Sequence, residues 1–453
     1  MMKNTLILLF LVMVSIISCK AQTSDVIVLQ NVKLLTMESD EILDGRSVII
    51  RGGVIDWVGN AGEADIPDNA TVIKGDYYVM PGLAEMHAHI PSSGQTQEQM
   101  EQTLALYLTQ GITTVRGMLG APVHLEMRER AESPGFFSPR ILTSGPSFNG
   151  NTATDPDRTR QMVQEQAEAG YDLLKLHPGI TLENFEALAD EAKSQGIEFS
   201  GHISARVGLE RTLAAGQGTI EHIDRYMEYL AGVSPEDRVD PNIIYFGYDL
   251  TPVADPSRVQ EAAQITKEAG VWVVPTNTLL ENVFNPDLEP EEMLNWPGME
   301  YISESLRAGW ANYVRNIRES DDYDAEQARQ FLGIRKELTK ALHEEGAGLL
   351  LGADAPQIFN PPGYSTHREL ALLVEYGLSP FEAIKTGTVN VGIYLDEADK
   401  TGKIAPGYSA DLILLNKNPL RSLPFHDSIE GVIYRGSYAD RVKLDQILDN
   451  ITP

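Results

Sequence analysis

Between residues 79 and 352 the chain repeats one pattern. A short apolar run is followed by a longer stretch whose apolar positions recur every three or four residues. The first kind of segment predicts a buried strand and the second an amphipathic helix. Strand-like runs fall at 83–87, 113–116, 140–143, 172–176, 198–202, 219–222, 272–275 and 348–352. Helical stretches fall at 97–110, 157–169, 182–195, 209–215, 256–269 and 325–345. Alternation of this kind predicts parallel βα units, and eight of them fit a (β/α)8 TIM barrel over residues 79–401. Residues 280–323 are extra material after the seventh run. They carry Trp296, Tyr301, Trp310 and several acids, and they read as a lid or substrate loop.

The two ends of the chain have a different texture. Residues 25–76 contain short β-rich runs separated by Asp44-Gly45 and Gly52-Gly53 turns. Similar runs return at 410–415 and 429–434. Neither end alone has enough strands for a stable unit. The ends (25–78 plus 402–450) are therefore expected to form one small β-sandwich domain beside the barrel.

The first residues change the picture of where the protein works. Met1-Met2-Lys3 is followed by an apolar run at 6–17, broken only by Ser15. That run is shorter than the ~20 residues a spanning helix needs, so residues 1–18 read as a signal peptide. It ends in Ile16-Ile17-Ser18-Cys19, which resembles a bacterial lipobox. Cys19 is the only cysteine of the chain. A lipidated Cys19 with a tether over 19–24 would anchor an exported protein to a bacterial membrane, facing the periplasm or the cell exterior. The alternative is a chance cysteine at an ordinary cleavage site. One cysteine also excludes an intramolecular disulfide and a cysteine-built zinc site. The net charge of -29 argues against nucleic acid and against an anionic lipid surface as partners. Small molecules are the expected partners, and the sequence does not speak to oligomeric state.

Chemistry concentrates at the ends of the strand-like runs. His87 and His89 form a His-x-His, and residues two apart on a strand share a face, so both imidazoles can reach one metal. The alternative is two surface histidines at a strand end. Lys175, His202, His222 and Asp354 end four further runs. On this fold all should project into the C-terminal mouth, where sites lie. Arg116 can hold a substrate carboxylate or sit in a structural ion pair. His177 faces the same side as Lys175 and can contact substrate or pack as a loop residue. Tyr226 can line the pocket or belong to the core. Asp224 reads as a loop acid, and Glu85 lies one layer below His87 on the ligand face.

These motifs resemble the amidohydrolase superfamily, and more narrowly its imidazolonepropionase- and prolidase-like members. The likeness rests on Pro81-Gly82-Leu83 leading into the His-x-His, on residues 111–116 (Gly-Ile-Thr-Thr-Val-Arg), on Gly352-Ala353-Asp354-Ala355 and on residues 402–412. One departure is Glu85, where many relatives have Asp. The resemblance implies two divalent ions, with zinc expected and Mn, Fe or Ni as alternatives. It places His87, His89 and Asp354 on one ion, His202 and His222 on the other, and a carbamylated Lys175 between them. Residue chemistry agrees, because a protonated amine between Leu174 and Leu176 is costly to bury and cannot ligate a cation. The alternative is a Lys175 paired with Asp354 beside a single metal.

The function this implies is hydrolysis of an amide C–N bond in a dipeptide, an N-acyl amino acid or a cyclic amide. A metal-activated hydroxide would attack, with Asp354 as proton shuttle. One alternative is a mononuclear deaminase or an imidazolonepropionase-type hydrolase of a cyclic substrate. The other is a non-catalytic binding lipoprotein. The export reading has its own test: Cys19→Ser should release the protein from the membrane fraction of its host or leave it unprocessed. Wild-type protein found wholly soluble would contradict lipidation.

Overall fold

The computed structural model describes residues 26–133, 135–238 and 246–451. The signal peptide and Cys19 lie outside the described residues. Among the described residues no helix is long and apolar enough to cross a membrane.

The middle of the chain is α/β with parallel strands. Leu83–Ala88, Ile112–Gly117 and Arg140–Thr143 pair in parallel as one sheet. Leu173–Leu176, Glu198–Gly201, Thr219–Glu221 and Trp272–Val274 pair in parallel as a second. Single parallel bridges join the two sheets: Ser144 to Leu173, and Phe148 to Leu176. On the far side Val273 bridges Leu349, and Met86 N–H donates to Leu351 O. The eighth expected strand is therefore bonded to both neighbours without forming a regular ladder. Gly352 shows why it must pass so close. A Cβ there would lie 2.5 Å from the Val274 side chain and 2.9 Å from His87 N.

Helices start and stop where local chemistry directs. Asp155 caps Pro156–Ala169, Thr181 caps Leu182–Gln195 and Asp324 caps Ala325–Glu345, each side chain accepting a backbone N–H. All three end at a left-handed glycine, Gly170, Gly196 and Gly346. Their apolar faces meet the strands in one large core that includes Tyr107, Leu174, Leu188, Phe331 and Leu342. Residues 280–323 are not a structureless loop. They form helices with their own small core, Met293, Met299, Trp310 and Val314 packed on Phe359.

The chain ends form one sheet of eight strands. Its joint is the antiparallel pairing of Leu412–Leu415 with Tyr78–Pro81. One face holds a separate core of Ile27, Leu29, Val48, Ile50, Leu412 and Ile433. From the other face Ile413 reaches the parallel unit and fits the space left by Gly111. Truncation after Thr401 removes Leu412–Leu415 and bares the Tyr78–Pro81 edge, and an open edge promotes association. We expect that truncation to give insoluble protein. A soluble, folded product in a fractionation and circular-dichroism experiment would contradict the joint.

Candidate active site

Six expected residues converge. His87 is the penultimate residue of its strand and His89 follows the strand, with ring centroids 5.4 Å apart. Lys175 lies inside Leu173–Leu176 with its side chain turned inward. His202 follows Gly201, whose φ of +130° suits glycine, and a Cβ there would lie 2.4 Å from Leu176 O. His222 and Asp354 both turn out of their strands with left-handed φ, 60° and 61°. The His87 and His222 rings are 4.6 Å apart, as are those of His202 and His222. His89 Nε2 lies 2.6 Å from Asp354 Oδ1, and His87 Nε2 lies 3.5 Å from the same oxygen. Ligand atoms of His87, His222 and Asp354 lie within 4.8 Å of one another, close enough to hold one metal ion. All six residues are buried.

The outer nitrogens of three imidazoles are tied to the protein. His87 Nδ1 meets Glu221 at 2.6 Å, His202 Nδ1 meets Asp224 at 2.8 Å, and His222 Nδ1 meets Thr276 Oγ1 at 2.7 Å. Such tethers leave each Nε2 for a metal and hold the ring plane. Glu85 holds the cluster from below. One carboxylate oxygen accepts from the backbone N–H of His87 and of Ala353, and the other from the Thr366 hydroxyl. Burial pushes the Glu85 carboxyl up to about 8.

Electrostatics favour the uncharged bases that ligation requires. Burial lowers the His87 and His222 imidazoles, and positive neighbours add to it. Burial also pulls the Lys175 amine down to about 8, against the pull of Glu221 and Asp354. Its Nζ is buried and has no hydrogen-bond partner among the described residues. Burial raises the Asp354 carboxyl, but His87, His89 and Lys175 outweigh it and hold it at about 2. Unpaired Lys175, inward-facing Nε2 atoms and an ionised Asp354 together fit a cationic metal centre.

His177 stands beside this cluster, its ring 5.2 Å from that of His202 and its Nδ1 without a partner among the described residues. Two expected substrate contacts turn away. Arg116 is buried, and its guanidinium is taken up by Glu221, Thr219, Tyr394 and Met86 O, so its ion-pair alternative describes it. Tyr226 is fully buried in the core, with its hydroxyl on Thr266 Oγ1, because its short helix turns that face toward the Val259–Ala269 helix. Asp224 is the converse case: not a loop acid but the partner of His202. Phe246, unremarked in the sequence, places its ring 5.3 Å from that of His222.

Residues 78–439 match the Amidohydrolase family. The chain belongs to this family. It is an enzyme, a hydrolase acting on C–N bonds, and the reading as a non-catalytic binding protein is set aside. Among its relatives is ochratoxinase of Aspergillus niger, 24% identical over 425 residues, covering 88% of this chain and 83% of the relative. A 5-methylthioadenosine/S-adenosylhomocysteine deaminase of Caldanaerobacter subterraneus is 25% identical, covering 92% of this chain and 91% of its own. The crystal structure of a putative prolidase from Bifidobacterium longum superposes with a TM-score of 0.67 at 23% identity, covering 94% and 99%. That likeness is one of fold.

Glu85 offers a direct test of how this amidohydrolase holds its site. Glu85→Ala leaves two backbone N–H groups and a hydroxyl unpaired, about 1–3 kcal/mol for each. We expect the metal-free variant to lose several-fold more stability in urea than Glu85→Gln, which keeps an acceptor for both N–H groups. The folded carboxyl is raised from 4.5 to about 8, so its proton favours the folded state. Wild-type stability, measured against Glu85→Gln, should therefore fall as pH rises through that window. A flat difference would contradict the burial described.

Proposed function

We propose that this amidohydrolase is a two-ion hydrolase of amide bonds in small molecules: dipeptides, N-acyl amino acids or cyclic amides. One observation carries the reading. Lys175 is a fully buried amine with no hydrogen-bond partner among the described residues, set within the ring of His87, His202, His222 and Asp354. A carbamate on that amine would turn a costly buried cation into an anionic bridge. His87, His89 and Asp354 would hold one divalent ion and His202 with His222 the other, with zinc expected. When bound, the ions polarise the scissile carbonyl and the attacking water.

The chain's residues perform the rest. Asp354 is ionised and faces the cluster, so it can take the water's proton and return it to the leaving nitrogen. His177, whose Nδ1 has no partner among the described residues, is placed to meet the substrate beside His202. The helices over 280–323 pack on Phe359, five residues beyond Asp354, and act as a lid. The parallel strands close as a (β/α)8 barrel, and the sheet of the chain ends curls around its own core as a small sandwich beside it. The match to the Amidohydrolase family supports an amide-type C–N bond. We further read the protein as exported and tethered through Cys19.

Two observations favour the single-ion alternative. His87, His222 and Asp354 suffice for one ion, and a deaminase is among the relatives. Substitutions separate the readings. Lys175→Ala should lose at least one of about two metal equivalents and almost all turnover, since the bridging ligand is gone. Small carboxylic acids should partly restore it. Asp354→Asn should keep most of its metal yet lose hydrolysis, because no proton shuttle is left. Elemental analysis, with turnover on a library of dipeptides, N-acyl amino acids and cyclic amides, reads both. One equivalent in wild type, unchanged in Lys175→Ala, would favour the deaminase-like site.

A further inference from the structure

Arg116 is only 1% exposed, and each of its nitrogens donates to the protein. Nε donates to Met86 O at 2.8 Å, and Nη1 to the Tyr394 hydroxyl at 2.6 Å. Nη2 donates to Thr219 Oγ1 at 3.1 Å and to Glu221 Oε1 at 2.8 Å. The other oxygen of Glu221 meets His87 Nδ1 at 2.6 Å. Tyr394 in turn donates to the Glu198 carboxylate, whose side chain is 34% exposed. A continuous line of bonds thus runs from His87 through the strand interior to Glu198 at the start of its strand. On the way it passes through Tyr394 of the Val389–Tyr394 helix, outside the parallel strands.

The line crosses a seam. His87 and Arg116 belong to the three-stranded parallel sheet, while Glu221, Thr219 and Glu198 belong to the four-stranded one. Burying a guanidinium and a carboxylate costs several kcal/mol per ion before pairing. For stability alone, an apolar pair at this seam would serve as well. The paired fork does something an apolar pair cannot. Its planar donors, fixed by acceptors from both sheets and a helix, set the plane of the Glu221 carboxylate. That carboxylate only accepts, so it selects the His87 tautomer with its hydrogen on Nδ1 and leaves Nε2 as a ligand.

We propose that Arg116, Glu221 and Tyr394 form a positioning relay for His87, through which a helix outside the parallel strands governs how tightly the site holds metal. The inference rests on the metal-binding reading of the His87 cluster. Its test is the Zn2+ affinity of the full chain, measured by competition with a chelator, alongside thermal unfolding of each metal-free protein.

Arg116→Met should bind Zn2+ about 10–100-fold more weakly, as loss of such outer partners does. Tyr394→Phe, which keeps the ring and loses one acceptor, should show a smaller loss in the same direction. Glu221→Gln should also weaken binding, because whichever way the amide turns, its NH2 faces a donor, either Arg116 or His87 Nδ1–H. The double variant Arg116→Met/Glu221→Gln should bind more tightly than either single one, since the amide oxygen can then face His87 without a buried charge beside it. That rescue keeps the test alive if Arg116→Met alone fails to fold. Arg140→Met, which breaks the ion pair with Glu397, serves as the stability control and should leave Zn2+ affinity unchanged.

Wild type without Zn2+ affinity would sink the metal reading itself. Wild type that binds, with Glu221→Gln and Tyr394→Phe both indistinguishable from it, would overturn the relay and leave the metal reading standing. Affinity that falls in step with unfolding temperature across all variants, Arg140→Met included, would overturn it too, because a merely structural role predicts that pattern.

Discussion

The rest of the structure turns on one amine. Lys175 sits fully buried between Leu174 and Leu176, with no hydrogen-bond partner for Nζ among the described residues. A charged ammonium in such a place is expensive, and burial draws it down to about 8. The protein answers with a ring of ligands rather than a neutralising acid at hydrogen-bond distance. Glu221 and Asp354 act on the amine through the field but are bonded elsewhere, to Arg116 and His87 and to His89. The position makes chemical sense when the amine becomes an anion among cations.

The ring is built across two sheets, and that explains its elaborate support. His87 and His89 come from the three-stranded sheet, and Lys175, His202 and His222 from the four-stranded one. Each contact across the seam must be held to within a fraction of an ångström for metal chemistry to work. Glu85 binds the backbone of His87 to that of Ala353, next to Asp354. Arg335 binds His222 O and Pro275 O, fastening two neighbouring turns. Left-handed backbone at His222, Ile223, Arg225 and Asp354 costs energy that the tightly bonded surroundings absorb. The same turn curls Asp224 back onto His202.

Much of this was legible in the sequence, for identifiable reasons. Apolar period marks the helices, and in the structure Asp155, Thr181 and Asp324 stand one residue before the first turn and glycines one residue after the last. Strand ends marked the six converging residues, because alternation fixes which side chains face inward. Alternation cannot say what an inward side chain meets. Arg116 faces inward and is met by Glu221, not by solvent or substrate. Tyr226 opens a helix of six residues, too short for a periodic signal to tell its buried face. Asp224 lies in a run of positive φ at non-glycine residues, which no residue preference announces. The continuous apolar run at 348–352 predicts a strand, yet residues 348–351 bond to each neighbour only at single positions.

The central claim is that Lys175 carries a carbamate shared by two ions. The most direct measurement is 13C NMR of the zinc-loaded protein prepared in 13C-bicarbonate, with metal content determined on the same sample. The account predicts one carbamate carbonyl resonance and about two equivalents of zinc, both diminished in Lys175→Ala. A zinc-loaded wild type with no such resonance and a single equivalent would contradict it.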